Sequence, residues 1–239
     1  MRRCPTALGG LLLVAAVLIA GCGSGSDVPS LKMSGPITKA EATAYAHAVN
    51  LAVADVPEMT STSLEEEKQA DASSVHEALC AGAANPHLKV IDVESPEFHL
   101  GESDEFIASS VEVMPTASLA AKDLAAVRRT PTLACARNLF AQSFAQEAAK
   151  ELGLHQGAHV NLGRITASLL PDSLPTAVSF GVRHVVPILS PYRARFYIDS
   201  YTAVVGPAEI VLSATGVNHP FPQATEQRLL SLLYNRAKA

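Results

Sequence analysis

The sequence predicts an α+β fold: an antiparallel sheet of about five strands, ending in a C-terminal meander and packed by helices that include N-terminal and C-terminal ones. Two observations carry that expectation. Apolar residues in the first half recur at helical spacing behind capping signals. Residues 176–215 instead alternate apolar and polar at period two, broken by turn residues. At 239 residues, 48% apolar and 17% charged, the chain has material for one core and too little charge for a disordered polymer.

Taken in order, Thr38 is placed to cap a helix running to about Val53, with Glu41 completing a capping box. Val56-Pro57 stops it. A second helix is expected over Leu64 to Leu79, opening on Glu65-Glu66-Glu67 at the positive end of its macrodipole. Asn85-Pro86 and Ser95-Pro96 mark loops around a short strand at Lys89 to Val93. Phe106 to Val113 alternates as a strand, and Pro115 ends it before an Ala-rich helix from Thr116 to Arg129. Pro131 opens another helix, with Leu133, Ala136, Phe140, Phe144, Ala148 and Leu152 on one face and Gly153 as its stop.

Four strands then follow: His159 to Leu169, Thr176 to Leu189, Arg193 to Val205 and Glu209 to Thr215. Val178, Phe180, Val182, Val186 and Ile188 share one face and are expected to pair with Ala194, Phe196, Ile198 and Thr202 across Leu189-Ser190-Pro191. A three-residue turn, Gly206-Pro207-Ala208, sets Ile210, Leu212 and Ala214 against Val204, Thr202 and Ser200. After Phe221-Pro222, a C-terminal helix turns Leu229, Leu230, Leu233 and Ala237 inward. With no repeat and no internal linker, residues 37–239 are expected to form a single domain.

The amino terminus reads as an address. Arg2 and Arg3 precede the uncharged run Leu8 to Ala20, about 13 residues and roughly 20 Å of helix, short of a membrane span of ~30 Å. The run closes on Leu18-Ile19-Ala20-Gly21-Cys22, which resembles the bacterial lipobox. That resemblance implies a diacylglyceryl group on the Cys22 thiol and removal of residues 1–21 as a lipoprotein signal peptide. It also implies an exported chain held on a membrane by two or three acyl chains. Residues 22–36, opening on Gly23-Ser24-Gly25-Ser26, would then be a flexible tether.

Cysteine usage fits export. Cys4 leaves with the leader and Cys22 takes the lipid, so Cys80 and Cys135 remain. An even pair in an exported domain most simply forms one disulfide. It would close a loop of about 55 residues and contribute roughly 4 kcal/mol on the chain-entropy account. A redox-active pair would want a Cys-x-x-Cys context, which is absent.

The closing order of strand Ile198 to Gly206, strand Ala208 to Thr215 and helix Thr225 to Arg236 resembles the PsbP-like fold. It is also similar to the extracellular sensor domains of PknH-type kinases and related actinobacterial lipoproteins. The resemblance implies envelope-associated binding or accessory roles and no particular chemistry.

One face of the meander is expected to show Arg183, Arg195, Tyr197, Asp199, Tyr201, Ser213 and Thr215, with Arg183 opposite Tyr197 and Tyr201 opposite Ser213. Such groups on rigid strands suit a small polar or anionic ligand, with Arg reading a carboxylate or phosphate. The same residues also suit the solvated face of a half-buried sheet.

No metal site or cofactor is expected. His76, Cys80 and Cys135 could meet only at the expense of the disulfide, and Gly153 and Gly157 break the helix that would align His155 with His159. Glu94, Glu97, Glu102, Asp104 and Glu105, around His99, lack the ligand order of a calcium loop. No catalytic residue stands out: there is no Gly-x-Ser-x-Gly elbow, no Ser-x-x-Lys with its supporting motifs, no phosphate-binding loop and no dinucleotide fingerprint. The net charge of −5 argues against a general nucleic-acid binder, which would carry a basic stripe. The expectation is a membrane-anchored lipoprotein acting as a binding, sensing or accessory module of the cell envelope. The competing classes are an envelope hydrolase without a recognisable motif and a structural partner of another envelope protein.

Overall fold

The structure, a computed structural model, describes residues 29, 31, 36–61, 66–67, 89–101, 105–128, 160–171, 173–175, 178–190 and 193–239. The leader, Cys22, Cys80, Cys135, the predicted helix over residues 131–152, and His76, His155 and His159 lie outside the described residues.

Thr38 caps α1 (Lys39–Val49) in the expected box: its hydroxyl accepts from the Glu41 amide while the Glu41 carboxylate accepts from the Thr38 amide. The helix stops at Asn50, short of Val53, because Asn50 is drawn onto the sheet. Its Nδ2 donates to the Val93 carbonyl at 2.9 Å and its Oδ1 accepts from the Ser109 hydroxyl at 2.8 Å. Residues Val53–Asp55 make one 3-10 turn.

Short strands follow: β1 (Thr60–Ser61), β2 (Glu66–Glu67), β3 (Ile91–Glu94) and β4 (Phe98–His99). Glu66 and Glu67 pair with Glu94 and Val93, so these two residues belong to a strand and not to the predicted helix. The open edge of β3 offers them backbone partners, and that long-range pairing overrides their helix preference.

β5 (Phe106–Val113) matches its predicted bounds, and Thr116 caps α2 (Ala117–Val127) through the Leu119 amide. The predicted strand from His159 splits at Gly163 into β6 (Asn161–Leu162) and β7 (Thr166–Leu169). The long meander is β8 (Ser179–Ser190), β9 (Ala194–Val205) and β10 (Ala208–Val217), and α3 (Gln223–Lys238) closes the chain.

Among the described residues the fold is α+β: three helices and one antiparallel sheet of ten strands, four of them eight residues or longer. The main path runs β1-β4-β5-β10-β9-β8-β6, with β3 also on β5, β2 on β3 and β7 on β8. Helices α1 and α3 cover one face, burying Val111, Ile210, Leu212 and Ala203 against Leu229, Leu230 and Leu233. Helix α2 lies on the other face, where its Asp123 meets Glu209 of β10.

Two expected registers are corrected. Val186 stands opposite Phe196 and Ile188 opposite Ala194, which is the predicted pairing at the turn, but the same ladder puts Arg183 opposite Asp199, not Tyr197. Between β9 and β10 the turn is the two residues Gly206-Pro207. Gly206 takes φ +58 at the first central position and Pro207 holds a negative φ at the second. Leu212 therefore faces Tyr201, Ile210 faces Ala203 and Ala214 faces Asp199, while Ser213 faces Ser200.

A slip of one residue exchanges the faces of a strand. Asp199 and Tyr201, expected on the open face, are instead fully buried with the residues that face α3. The physical reason is that helices cover both faces of this sheet. Apolar alternation in β8 and β10 then marks opposite sides, and no single polar face exists to set the register.

Candidate functional site

The ladder divides the five strand residues singled out from the sequence into two groups. Arg183, Asp199 and Tyr201 come together beneath α3, whereas Arg195 and Tyr197 sit further along β9, toward its β8 end.

The buried group is a polar network on neighbouring strands. Arg183 donates from Nε to Asp199 Oδ1 at 2.6 Å and from Nη2 to Asp199 Oδ2 at 2.5 Å, a two-pronged pair with a fully buried carboxylate. Asp199 holds the guanidinium even more firmly protonated than usual. Two residues along β9, the Tyr201 hydroxyl donates to Glu226 Oε2 at 3.0 Å. Glu226 comes from the first turn of α3 and is also fully buried; its Oε1 makes no hydrogen bond.

Burial, and then the nearby Asp199 carboxylate, push the Glu226 carboxyl up to about 8, so it holds a proton at neutral pH. Burial and the Glu226 charge raise the Tyr201 hydroxyl as well. Gly181, directly across from Tyr201, makes room for the ring: a Cβ there would lie 2.8 Å from Tyr201 Cδ1.

Sequence reasoning missed Glu226, although its signal was present. It stands three, four and seven residues before Leu229, Leu230 and Leu233, and so lies on the apolar face of the helix.

A second acidic row lies on the opposite side of the sheet. Asp92, Glu112 and Glu209 stand side by side across β3, β5 and β10, and Asp123 approaches from α2. Lys89 Nζ bridges Glu112 at 2.6 Å and Asp92 at 3.2 Å. Burial and its acidic neighbours push the Glu209 carboxyl up to about 9, and its Oε1 has no hydrogen-bond partner. Among the described residues no group of three or more His, Cys, Asp or Glu side chains could hold a metal ion. Of the loop carboxylates weighed as a calcium site, Glu97 lies 3.5 Å from His99 and Glu105 pairs with His219 at 3.0 Å; Glu102 and Asp104 lie outside the described residues.

Arg195 is exposed, with Tyr197 half-buried beside it. Arg195 Nη1 lies 3.5 Å from the Tyr197 hydroxyl. Its backbone amide donates to Asn218 Oδ1, and its carbonyl accepts from the Asn218 amide at 2.7 Å. Asn218 takes φ +64, a left-handed conformation that Asn tolerates, and this turns the chain back toward β9. Between the β8 and β9 ends lies a shallow open depression of about 620 Å³, walled by Pro187, Ile188, Leu189, Arg193, Arg195 and Asn218. Arg193 and Asn218 were not singled out from the sequence, because only the tertiary return of β10 brings Asn218 beside Arg195.

No protein-family model matches the chain, and no curated protein matches it. Solved structures similar to it include the extracellular domain of PknH from Mycobacterium tuberculosis. The two share 10% identity at a TM-score of 0.43, over 86% of this chain and 99% of that one. At that level the α+β assignment rests on this chain's own ladders and helices.

Proposed function

We propose that the chain is an exported bacterial lipoprotein, anchored to a membrane through Cys22, whose α+β domain is a binding, sensing or accessory module of the cell envelope. The observation that carries the reading is the sequence Leu18-Ile19-Ala20-Gly21-Cys22 at the end of a 13-residue apolar run behind Arg2 and Arg3. Among the described residues no helix is long and apolar enough to cross a membrane. Attachment by acyl chains on Cys22 followed by a Gly/Ser tether is the arrangement the leader supports.

The geometry favours binding over turnover. Asp199 and Glu226 are neighbouring carboxyl groups, the kind of pair that acid–base chemistry uses. Both are fully buried beneath α3, however, so no substrate reaches them. The exposed large apolar side chains among the described residues, Val53, Leu169 and Leu189, sit on three separate elements and make no broad patch for a protein partner.

Growing the producing bacterium on labelled palmitate tests the anchor. Label is expected in the wild-type chain and absent from Cys22→Ser; an unlabelled wild type refutes the anchor.

A further inference from the structure

We infer that the depression between the ends of β8 and β9 is an anion-binding site, taking a phosphate group with a small apolar portion, either as a free small molecule or as a lipid headgroup. The inference deepens the binding reading above and rests on it.

The wall chemistry selects the charge. Arg193 and Arg195 are both exposed at the rim, and among the described residues neither guanidinium has a carboxylate partner. By contrast, Arg183 is committed to Asp199 and Arg236 to Asp55. Glu105, the carboxylate near the Asn218 turn, is committed to His219 at 3.0 Å. Two exposed guanidinium groups lining one depression of a chain of net charge −5 make a local positive field against the overall balance. Arginine's planar fork matches phosphate oxygens with two parallel donors, which a scattered lysine surface would not.

The wall also selects shape. Pro187 and Ile188 line the depression with apolar surface, and Leu189 stands at its edge, 52% exposed. Asn218 is held by two backbone contacts to Arg195, so its side chain is fixed in place, with its amide NH₂ left as a neutral donor beside the guanidinium. At about 620 Å³ the open depression has room for such a ligand. Because β8 and β9 are paired from Ser179 to Ile188 and from Ala194 to Ala203, the backbone that carries Pro187, Ile188 and Arg195 is already fixed before binding.

The test titrates the full chain in nonionic detergent with two probes in turn, inorganic phosphate and monomeric dihexanoyl phosphatidylglycerol, following backbone and arginine side-chain amide shifts. The expected result is saturable movement confined to Leu189, Arg193, Arg195 and Asn218, weakened at least tenfold in Arg193→Gln/Arg195→Gln. Saturation by phosphate alone would mark a free anion and saturation by the lipid alone a headgroup, and both support the site. No saturable movement with either probe up to about 10 mM, weaker than a specific site of this kind would be, overturns it. So does movement that the double variant leaves unchanged. Arg193 and Arg195 are surface residues, so the variant keeps the fold, and its dispersed spectrum serves as the control. Palmitate on Cys22 is read separately, so a failed anion site and a failed anchor are told apart.

Discussion

Arg183 on β8 and Asp199 on β9 face each other directly across the ladder and close two hydrogen bonds, with the carboxylate fully buried and the guanidinium reaching toward solvent. This pair, with Tyr201 and Glu226, fastens the C-terminal helix to the sheet. Removing one member leaves a buried charge without compensation.

Arg183→Met is therefore expected to cost about 3–5 kcal/mol of unfolding free energy. The double variant Arg183→Met/Asp199→Leu should recover much of that loss, because no charge then remains to be desolvated. Urea titrations of the wild type and both variants check the ordering. A single variant as stable as the wild type contradicts it.

Glu226 makes stability depend on pH. Its folded carboxyl is raised from the ordinary 4.5 to about 8, so between those values the folded chain holds a proton that the unfolded chain has lost. The contribution is fully present below about pH 4.5 and is lost as pH rises through about 8, with a slope of up to about 1.4 kcal/mol per pH unit. The Glu209 carboxyl, pushed up to about 9, acts in the same sense. Glu226→Gln should flatten the decline in urea midpoint between pH 5 and 8 while leaving the Glu209 part. Parallel profiles for variant and wild type would count against the assignment.

Gly181→Ala would place a Cβ 2.8 Å from Tyr201 Cδ1 and 3.1 Å from Leu170 Cβ. A loss of about 1–3 kcal/mol is expected from overpacking. Combining it with Tyr201→Phe should not relieve the strain, since the clash is with the ring and not the hydroxyl. Thermal melts of the three proteins distinguish these cases.

Arg236 ties the end of α3 to the turn after α1, bonding both Asp55 oxygens at 2.8 and 2.6 Å and the Asn50 carbonyl at 3.2 Å. Arg236→Ala should cost about 1.5–3 kcal/mol, the range for hydrogen bonds to charged groups. Amide exchange is expected to quicken first in the last turns of α3. Unchanged protection there would show that apolar packing alone holds the helix.

Much of this architecture was legible because it is local. Thr38 with Glu41, Thr116 ahead of its Ala-rich run, and the alternation from Phe106 to Val113 each settle an element from neighbouring residues, and the structure keeps all three. What was not legible is set by tertiary context. Gly206-Pro207-Ala208 reads equally well as a turn of two residues or three, and a sheet covered on both faces removes the polar side that would have decided. That one residue moved Asp199 and Tyr201 from an open face into the network under α3. Glu66 and Glu67, helix formers by preference, pair with β3 across a gap in sequence that no local signal bridges. Of the candidate ligand residues, Arg195 keeps an exposed position, and Asn218 joins it only through the fold.

The anchored, exported state of the chain can be read from the mass of its amino-terminal peptide after recovery from bacterial membranes. A peptide that begins at Cys22 and carries a diacylglyceryl group is expected. A chain that begins at Met1, or one that begins at or beyond Cys22 with no lipid, contradicts the anchored state.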